Sequence, residues 1–464
     1  MAVNAVRAIL LAANDDVAAV LDTAAAGGMV TVVLGASGDT VHELTARQPI
    51  PFGHKLAVHD IAQGKPVLRY GFPIGVATTA IKQGEHVHSH NMRSQLSPPP
   101  EQERRPMVLR PAQWVQGFVR DALQAVGVSA DGAAAMADAV TEAHLRGVET
   151  HGLRRLRPYI ARIRSGGVDA EAQPQIDVRN ALLTVNGRNG IGHHVATVAA
   201  KAASDAARQF GIAVALVRNS NHFGFAGYYA TLIAAQRQLG IVTSNGQVCV
   251  APEGAMKPLL SNNPLAIAAP MRDANAFFEL DMATSVTSRA NIVEVARSGA
   301  MLSPGLAQDA EGKPTRDPAA ALAGSLLAFG GGKGFGLLVA LEALTGVLGG
   351  GAFADQVSSK EAAPDAPEGT AHTMIAIDLD TALGAELYSE RLDDLVRRLA
   401  ALPASPAAAA IRYPGERRWA LRRERLRDGV PLSDAELADV TKLADELCLA
   451  MPRPDASIWS ISAP

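Results

Sequence analysis

With 464 residues, 48% of them hydrophobic, the chain is long enough for two or three domains with proper cores, which excludes a disordered or collagen-like polypeptide. Lys and Arg number 43 against 46 Asp and Glu, a net charge of −3, so there is no global basic field to hold nucleic acid or an anionic membrane. Cys249 and Cys448 stand far apart with no ligand spacing around them, which argues against a disulfide scaffold or a structural zinc site and fits a reducing cytoplasm. The apolar piece from Ala8 to Ala13 runs at once into Asp15 and Asp16, too short for the core of a signal peptide. No stretch approaches the roughly 20 apolar residues that a spanning helix needs.

Residues 1–94 read as short strands. Val30–Leu34, Lys55–Val58 and Pro66–Tyr70 are β-favouring runs separated by Gly, Pro and Asp, which predicts a small β-rich domain. His86, His88 and His90 alternate, so on a strand all three project from one face. Two readings remain open for that face: a metal site, or a polar surface that meets a small molecule. No carboxylate or cysteine is spaced to complete a metal site, and neighbours on one strand splay, so no metal is expected. The motifs Ile50 to Ala57, Lys65 to Gly71, Pro73-Ile74-Gly75 and Glu85 to Asn91, in that order, resemble the SAF domain of altronate and galactarate dehydratases and of the sulfolactate sulfo-lyase small subunit. The resemblance implies a module that faces a polyhydroxy or sulfonated acid. No lyase body follows it here.

Residues 95–111, with Pro98-Pro99-Pro100 and alternating charges, read as a semi-rigid linker, and residues 112–464 as the main domain. Apolar positions at helical spacing predict helices over Trp114–Val126 and Ala130–Leu145. They lead into Thr150-His151-Gly152. Arg155 and Tyr159 follow His151 by four and eight residues, one face of a continuing helix. An imidazole, a guanidinium and a phenol then point together, a set that suits a carboxylate because guanidinium grips both oxygens. An ordinary amphipathic helix with an exposed arginine fits the same spacing.

The run Ile212–Val217 suits a buried strand and Ala226–Gln236 a helix, so Asn219-Ser220-Asn221-His222-Phe223-Gly224 is a strand-to-helix turn. Such turns expose side chains at the carboxyl edge of a sheet, and a histidine there exchanges protons near neutrality. His222 is therefore either a catalytic base or a loop histidine bonded to backbone. Further on, Gly240–Thr243 reads as a strand ending in Ser244-Asn245-Gly246, and Phe277–Leu280 as one ending in Asp281-Met282-Ala283. Asp281 can orient a histidine, bind a ribose hydroxyl or cap a helix. Gly330 to Gly336, enclosing Lys333, opens an apolar helix and forms a plausible phosphate cradle. It is neither a Walker A motif nor a GxGxxG after a strand, so a dinucleotide site here is not of the Rossmann kind. The charged stretch Glu416–Arg427 reads as a solvated helix, or as one that lies near cofactor phosphates.

Taken in order, Arg146-Gly147-Val148 with His151-Gly152, the His222 turn, Asn263-Pro264, Asp281 to Ser285, Gly312 to Thr315, Gly332 to Leu337, His372 with Ala376-Ile377-Asp378, and Pro414-Gly415-Glu416 resemble the malate/L-lactate dehydrogenase family of the non-Rossmann type, which includes ureidoglycolate and L-sulfolactate dehydrogenases. The resemblance implies an α/β (α+β) fold preceded by the β-rich SAF-like domain. It implies NAD(P)-dependent interconversion of a small 2-hydroxy acid of the malate, lactate or sulfolactate type and its 2-oxo acid, in a cytoplasmic homodimer. In that reading His222 is the general acid/base and His151 its catalytic neighbour, while Thr150, Arg155 and Tyr159 frame the substrate carboxylate. Ser244, Asn245, Gly246, Asp281, Met282, Ala283, Lys333, Pro414, Gly415 and Glu416 match segments that line NAD or NADP. The sequence departs from the family at Ser288 to Asn291, where an Arg-Gly-Lys is usual, and a lysine is thereby lost. That loss keeps an acid-binding protein without turnover open as an alternative, and the SAF-like domain keeps open the small subunit of a lyase.

Overall fold

The computed structural model of the protein describes residues 6–35, 38–69, 72–93, 107–360, 362–403 and 411–451. The first of these segments form a β-rich unit. Six strands pair in the order Thr40–Thr45, Met29–Leu34, Val6–Leu10, Val17–Val20, Lys55–Ala57 and His86–Val87, and three more in the order Pro66–Arg69, Phe72–Ala77 and Met92–Arg93. The alternation of small and branched apolar residues in these strands buries Ala8, Leu10, Val30, Val32 and Leu56 on a common inner face. The expected histidine strand is only two residues long, His86–Val87. His88 and His90 reach the same side through a turn instead, pinned by Asn91, whose Oδ1 accepts from His88 N (3.0 Å) and whose Nδ2 donates to His86 O (2.9 Å). His54 joins them, its Nδ1 2.8 Å from His86 Nε2. Among the described residues no group of three potential ligands is arranged to hold a metal ion.

The prolines and charges of residues 94–106, the greater part of the expected linker, lie outside the described residues. Met107–Arg110 is a strand that pairs antiparallel with Val430–Ser433. The two predicted helices follow as Ala112–Gln124 and Ala130–Leu145.

The main sheet has seven strands in the order Gln175–Arg179, Leu182–Asn186, Ile212–Ser220, Thr370–Asp378, Gln238–Ser244, Leu265–Pro270 and Phe277–Met282. Leu182–Asn186 runs parallel to Ile212–Ser220, and every other neighbour is antiparallel. With a single parallel βαβ unit, Leu182–Asn186 through the helix Gly192–Phe210 to Ile212–Ser220, this mostly antiparallel sheet lacks the repeated parallel units of a Rossmann domain, as the missing glycine fingerprint predicted. The helix Gly192–Phe210 covers one face, and its inward stripe is almost all alanine: Ala196, Ala199, Ala200, Ala203 and Ala207 meet Ala213 and Ala215 of the sheet. Small residues on both sides bring helix and sheet close together, which gives the turns at the strand ends a rigid support.

Candidate active site

His222 lies where the sequence predicted, between the strand Ile212–Ser220 and the helix Ala226–Ala234. The strand changes register between Val217 and Ser220, and Asn219 takes a positive φ of 54°, so the chain swings out of the sheet just before the histidine. Asn221, buried, then anchors the turn: its Nδ2 donates to Gly190 O (2.9 Å) and Asn189 O (3.1 Å). Two glycines make the close packing possible. A Cβ on Gly192 would sit 2.2 Å from Asn221 O and 2.4 Å from His222 O, and Gly224, at φ 85°, leaves room for His193.

His222 Nδ1 is met by two groups, Tyr159 Oη at 2.7 Å and the N–H of Gly224 at 3.3 Å. A backbone N–H only donates, so Nδ1 is an acceptor and the neutral ring carries its hydrogen on Nε2. The imidazole of His151 stacks on His222 with centroids 5.8 Å apart and planes 5° from parallel. Thr150 Oγ1 is 3.1 Å from His151 Nδ1, and Arg155 Nε donates to Thr150 O at 3.0 Å. The five residues Thr150, His151, Arg155, Tyr159 and His222 therefore gather at one place. They do not share one helix: the chain passes through two short 3₁₀ turns, Glu149–His151 and Leu153–Arg155, before the helix Leu156–Arg164 begins. The glycine at 152 breaks the expected continuous face, and Tyr159 turns its hydroxyl to His222.

The site is electropositive and half-buried: His151, Arg155, Tyr159 and His222 each keep some exposed surface, and Thr150 is exposed. Burial first, then the charges of Lys360 and Arg155, hold His222 well below the usual histidine range. His151 is pushed down to about 3 by burial and then by Arg155, Lys360 and Arg418. Burial raises the Tyr159 phenol, so it remains a neutral hydroxyl that donates to Nδ1. A cavity of about 20 Å³, room for one water-sized molecule, opens beside these groups, lined among others by Tyr159, Arg162, Asn221, His222, Lys360 and Glu368. Glu368 Oε2 accepts the backbone N–H of His222 at 3.0 Å, which ties the turn to the segment that carries Lys360.

Sequence reasoning missed Arg162, Lys360 and Glu368. Lys360 and Glu368 lie in an irregular segment with no periodicity to flag them. It also misread the helix Glu416–Asp428, which is not simply solvated. Arg422 grips Glu142 with Nε and Nη2 (2.7 Å for the shorter), Arg418 Nη1 donates to Glu279 Oε1 (3.0 Å) and Asp281 Oδ2 (2.9 Å), and Trp419 is buried between them. Arg146, fully buried, bonds Glu142 Oε2 (2.8 Å) and Glu279 Oε2 (3.3 Å) and lies 4.4 Å from the Trp419 ring centroid. Arg418 and Arg422, like Glu142 and Arg146, stand four apart, a spacing that signals one face and was available in the sequence.

The remaining sequence-selected residues surround this network. Asp281 faces Arg418 and takes the N–H of Gly227 at the start of the helix Ala226–Ala234, and Met282 and Ala283 beside it are half-buried. Pro414 O accepts the N–H of Glu279, and Gly415 caps the arginine helix. Glu416 Oε2 is buried without a partner among the described residues. Ser244 turns inward to His372, Oγ to Nδ1 at 2.8 Å, and His372 Nε2 reaches Ser220 Oγ at 2.9 Å beneath the His222 turn. Asn245 bonds Glu342 Oε1 (3.2 Å) and Ala352 O (2.8 Å), so the side chains of Ser244 and Asn245 are both committed within the fold. Gly246 lies against Ser261. Lys333 is exposed on the first turn of the helix Gly332–Glu342, after Gly330 and Gly331 at φ 60° and 61°.

Compared with known proteins, residues 111–441 match the malate/L-lactate dehydrogenase family, and residues 6–95 match the altronate/galactarate dehydratase SAF domain. The L-sulfolactate dehydrogenase of Methanothermobacter thermautotrophicus is 32% identical over 71% of this chain and 94% of its own length. The (2R)-3-sulfolactate dehydrogenase (NADP(+)) of Chromohalobacter salexigens is 35% identical over 66% of this chain and 89% of its own. Among solved structures, the sulfolactate dehydrogenase from Methanocaldococcus jannaschii superposes with a TM-score of 0.68 at 31% identity, covering 74% of this chain and 98% of that one.

Proposed function

Because the chain belongs to the malate/L-lactate dehydrogenase family and is an oxidoreductase that interconverts 2-hydroxy and 2-oxo acids with a nicotinamide cofactor, we propose that His222 is its general acid/base and Arg155 its carboxylate ligand. The observation that carries this is the pairing of His222 Nδ1 with Tyr159 at 2.7 Å, which leaves Nε2 as the nitrogen for the substrate oxygen. In reduction, an entering acid anion offsets the fields of Arg155 and Lys360 and favours a protonated ring. Tyr159 then turns from donor to acceptor toward Nδ1–H, and Nε2–H delivers its proton to the oxygen as the alkoxide develops. In oxidation the ring first carries its hydrogen on Nδ1, where Tyr159 accepts it, so that Nε2 is free to take the hydroxyl proton. His151, stacked on His222 and held neutral, keeps water from the ring face, and Thr150 holds His151 and Arg155 in register.

The bound nicotinamide supplies or accepts the hydride. The residues fit such a group: Glu416 Oε2 is a buried acceptor with no partner among the described residues, suited to a ribose hydroxyl, and the glycine-opened helix start with the exposed Lys333 suits phosphate. Asp281 to Ala283, Pro414, Gly415 and the backbone at Ser244 to Gly246 complete the lining. The cofactor is NAD or NADP. Sulfolactate or malate is the first substrate to test, since relatives with those names match over most of their length. The residues divide as 1–94, SAF-like domain; 95–111, linker; and 112–464, oxidoreductase domain. The enzyme is a cytoplasmic homodimer; Val339, Leu344, Val347 and Leu348, each more than 40% exposed along the helix Gly332–Glu342 and its π-helical continuation Ala343–Val347, supply an apolar face for a second copy.

The test is a reductase assay of the full chain with oxaloacetate, sulfopyruvate and pyruvate, each with NADH and NADPH. Cofactor oxidation with at least one of these acids is expected. Tight binding of an acid with no oxidation of either cofactor would favour the acid-binding alternative.

A further inference from the structure

Lys360 is charged, close to the catalytic histidines and weakly committed. Its Nζ lies 3.3 Å from Glu368 Oε1, near enough for an ion pair but not aligned as a hydrogen bond, so among the described residues none takes a hydrogen bond from its three N–H groups. It lines the cavity beside His222, and its field reaches both His222 and His151. Its side chain is one-quarter exposed, whereas Glu368 is 2% exposed and is fixed by the N–H of His222.

The local charge does not balance. Arg155 makes its hydrogen bond to the carbonyl oxygen of Thr150, a neutral partner. Arg162, 6% exposed, bonds Gly167 O (2.8 Å), Ala366 O (3.0 Å) and Asn221 Oδ1 (3.3 Å), all uncharged, and its Nε and Nη1 have no partner among the described residues. Among the described residues, three cations, Arg155, Arg162 and Lys360, thus lie around the His222 pocket with one carboxylate, Glu368. Arg418, the next cation, is already paired with Glu279 and Asp281. That excess of two positive charges among the described residues, in a half-buried site, is offset by a substrate carrying two negative charges. A monoanion such as lactate would neutralise half of it.

At the position where the family usually has a lysine, Asn291 is spent on Thr287 Oγ1 (2.9 Å) at the start of the helix Arg289–Arg297 and brings no charge. Lys360 comes to the His222 pocket from a different segment. Resting on the reading of His222 and Arg155 given above, we propose that Lys360 receives the second acid group of a dianionic 2-hydroxy acid, a carboxylate or sulfonate on the carbon next to the hydroxyl-bearing one, and thereby selects dianions over monoanions. Arg155 takes the first carboxylate, and Glu368 holds the Lys360 ammonium over the pocket without consuming its donors.

The experiment compares kcat/KM for oxaloacetate and for pyruvate in the wild type, Lys360→Met and Lys360→Arg. A charge-assisted contact of this kind predicts that Lys360→Met lowers the oxaloacetate-to-pyruvate selectivity about 10- to 100-fold, mainly through KM for oxaloacetate, and that Lys360→Arg recovers most of it. Equal loss on both acids would overturn the proposal and leave Lys360 a support for the His222 turn through Glu368. Unchanged selectivity would overturn it as well. Wild-type protein that reduces none of oxaloacetate, pyruvate and sulfopyruvate would overturn the underlying reading together with this one, which separates the two failures.

Discussion

His222→Ala should lower turnover by about three orders of magnitude, within the 10²–10⁴-fold range of positioned acid–base groups, while NADH or NADPH still quenches or enhances fluorescence with wild-type affinity. The substitution removes the only ring nitrogen left free for a substrate oxygen and releases Tyr159, whose hydroxyl then faces the small cavity. Neither change touches Lys333, Glu416 or the helix start that the cofactor is proposed to use. The pH profile gives an independent check. Because His222 is held well below its ordinary range, the free enzyme carries it neutral throughout the neutral region, so kcat/KM for oxidation should stay flat there and fall only as pH drops far below 6.5. An acid limb centred near 6.5, or turnover in the alanine variant close to wild type, would remove His222 from the catalytic role.

Arg146→Met should cost about 3–5 kcal/mol of stability, the range for removing one member of a buried ion network. Arg146 has no exposed side-chain surface and touches Glu142, Glu279, Thr231 and the Trp419 ring at once. Methionine fills much of the volume but leaves Glu142 and Glu279 short of a cation in a dry interior, with only Arg422 and Arg418 to share. The loss is measured as a lowered urea midpoint followed by tryptophan fluorescence, since Trp419 lies inside the network. Arg146→Lys should recover only part of the loss, because a single ammonium cannot reproduce the guanidinium fork between two carboxylates. A loss below about 1 kcal/mol would mean that the remaining five charges rearrange freely.

The elements were legible wherever one periodicity ran long enough. Ala130–Leu145 matches its predicted bounds because sixteen residues of helical spacing run without a break. The His222 strand and helix were readable because a branched apolar run, a polar glycine-ended turn and a second apolar run follow each other. Reading failed where the third dimension decides. His86, His88 and His90 do share a side, yet through an Asn91-braced turn that alternation cannot reveal. Arg418 and Arg422 looked solvated because charge is mostly external, and only the acids they meet, Glu142, Glu279 and Asp281 from distant segments, make burial affordable. Lys360 and Glu368 gave no signal, since their meaning comes from contact with His222 across more than a hundred residues of chain.

The histidines under and around the His222 turn have a consequence for the protein's response to acid. His151, His193 and His372 are each pushed down to about 3, chiefly by burial, and His222 is lowered as well. In the unfolded chain the same four rings take up protons near pH 6.5. Unfolding therefore consumes protons: stability from these rings is whole above about pH 6.5 and drains away as pH falls toward 3, by at most about 1.4 kcal/mol per pH unit for each ring. The packing that keeps the catalytic ring neutral thus couples the active site to global unfolding in acid, and collapse below neutrality should be steep, with proton uptake that falls when His193 or His372 is replaced by a residue that cannot titrate.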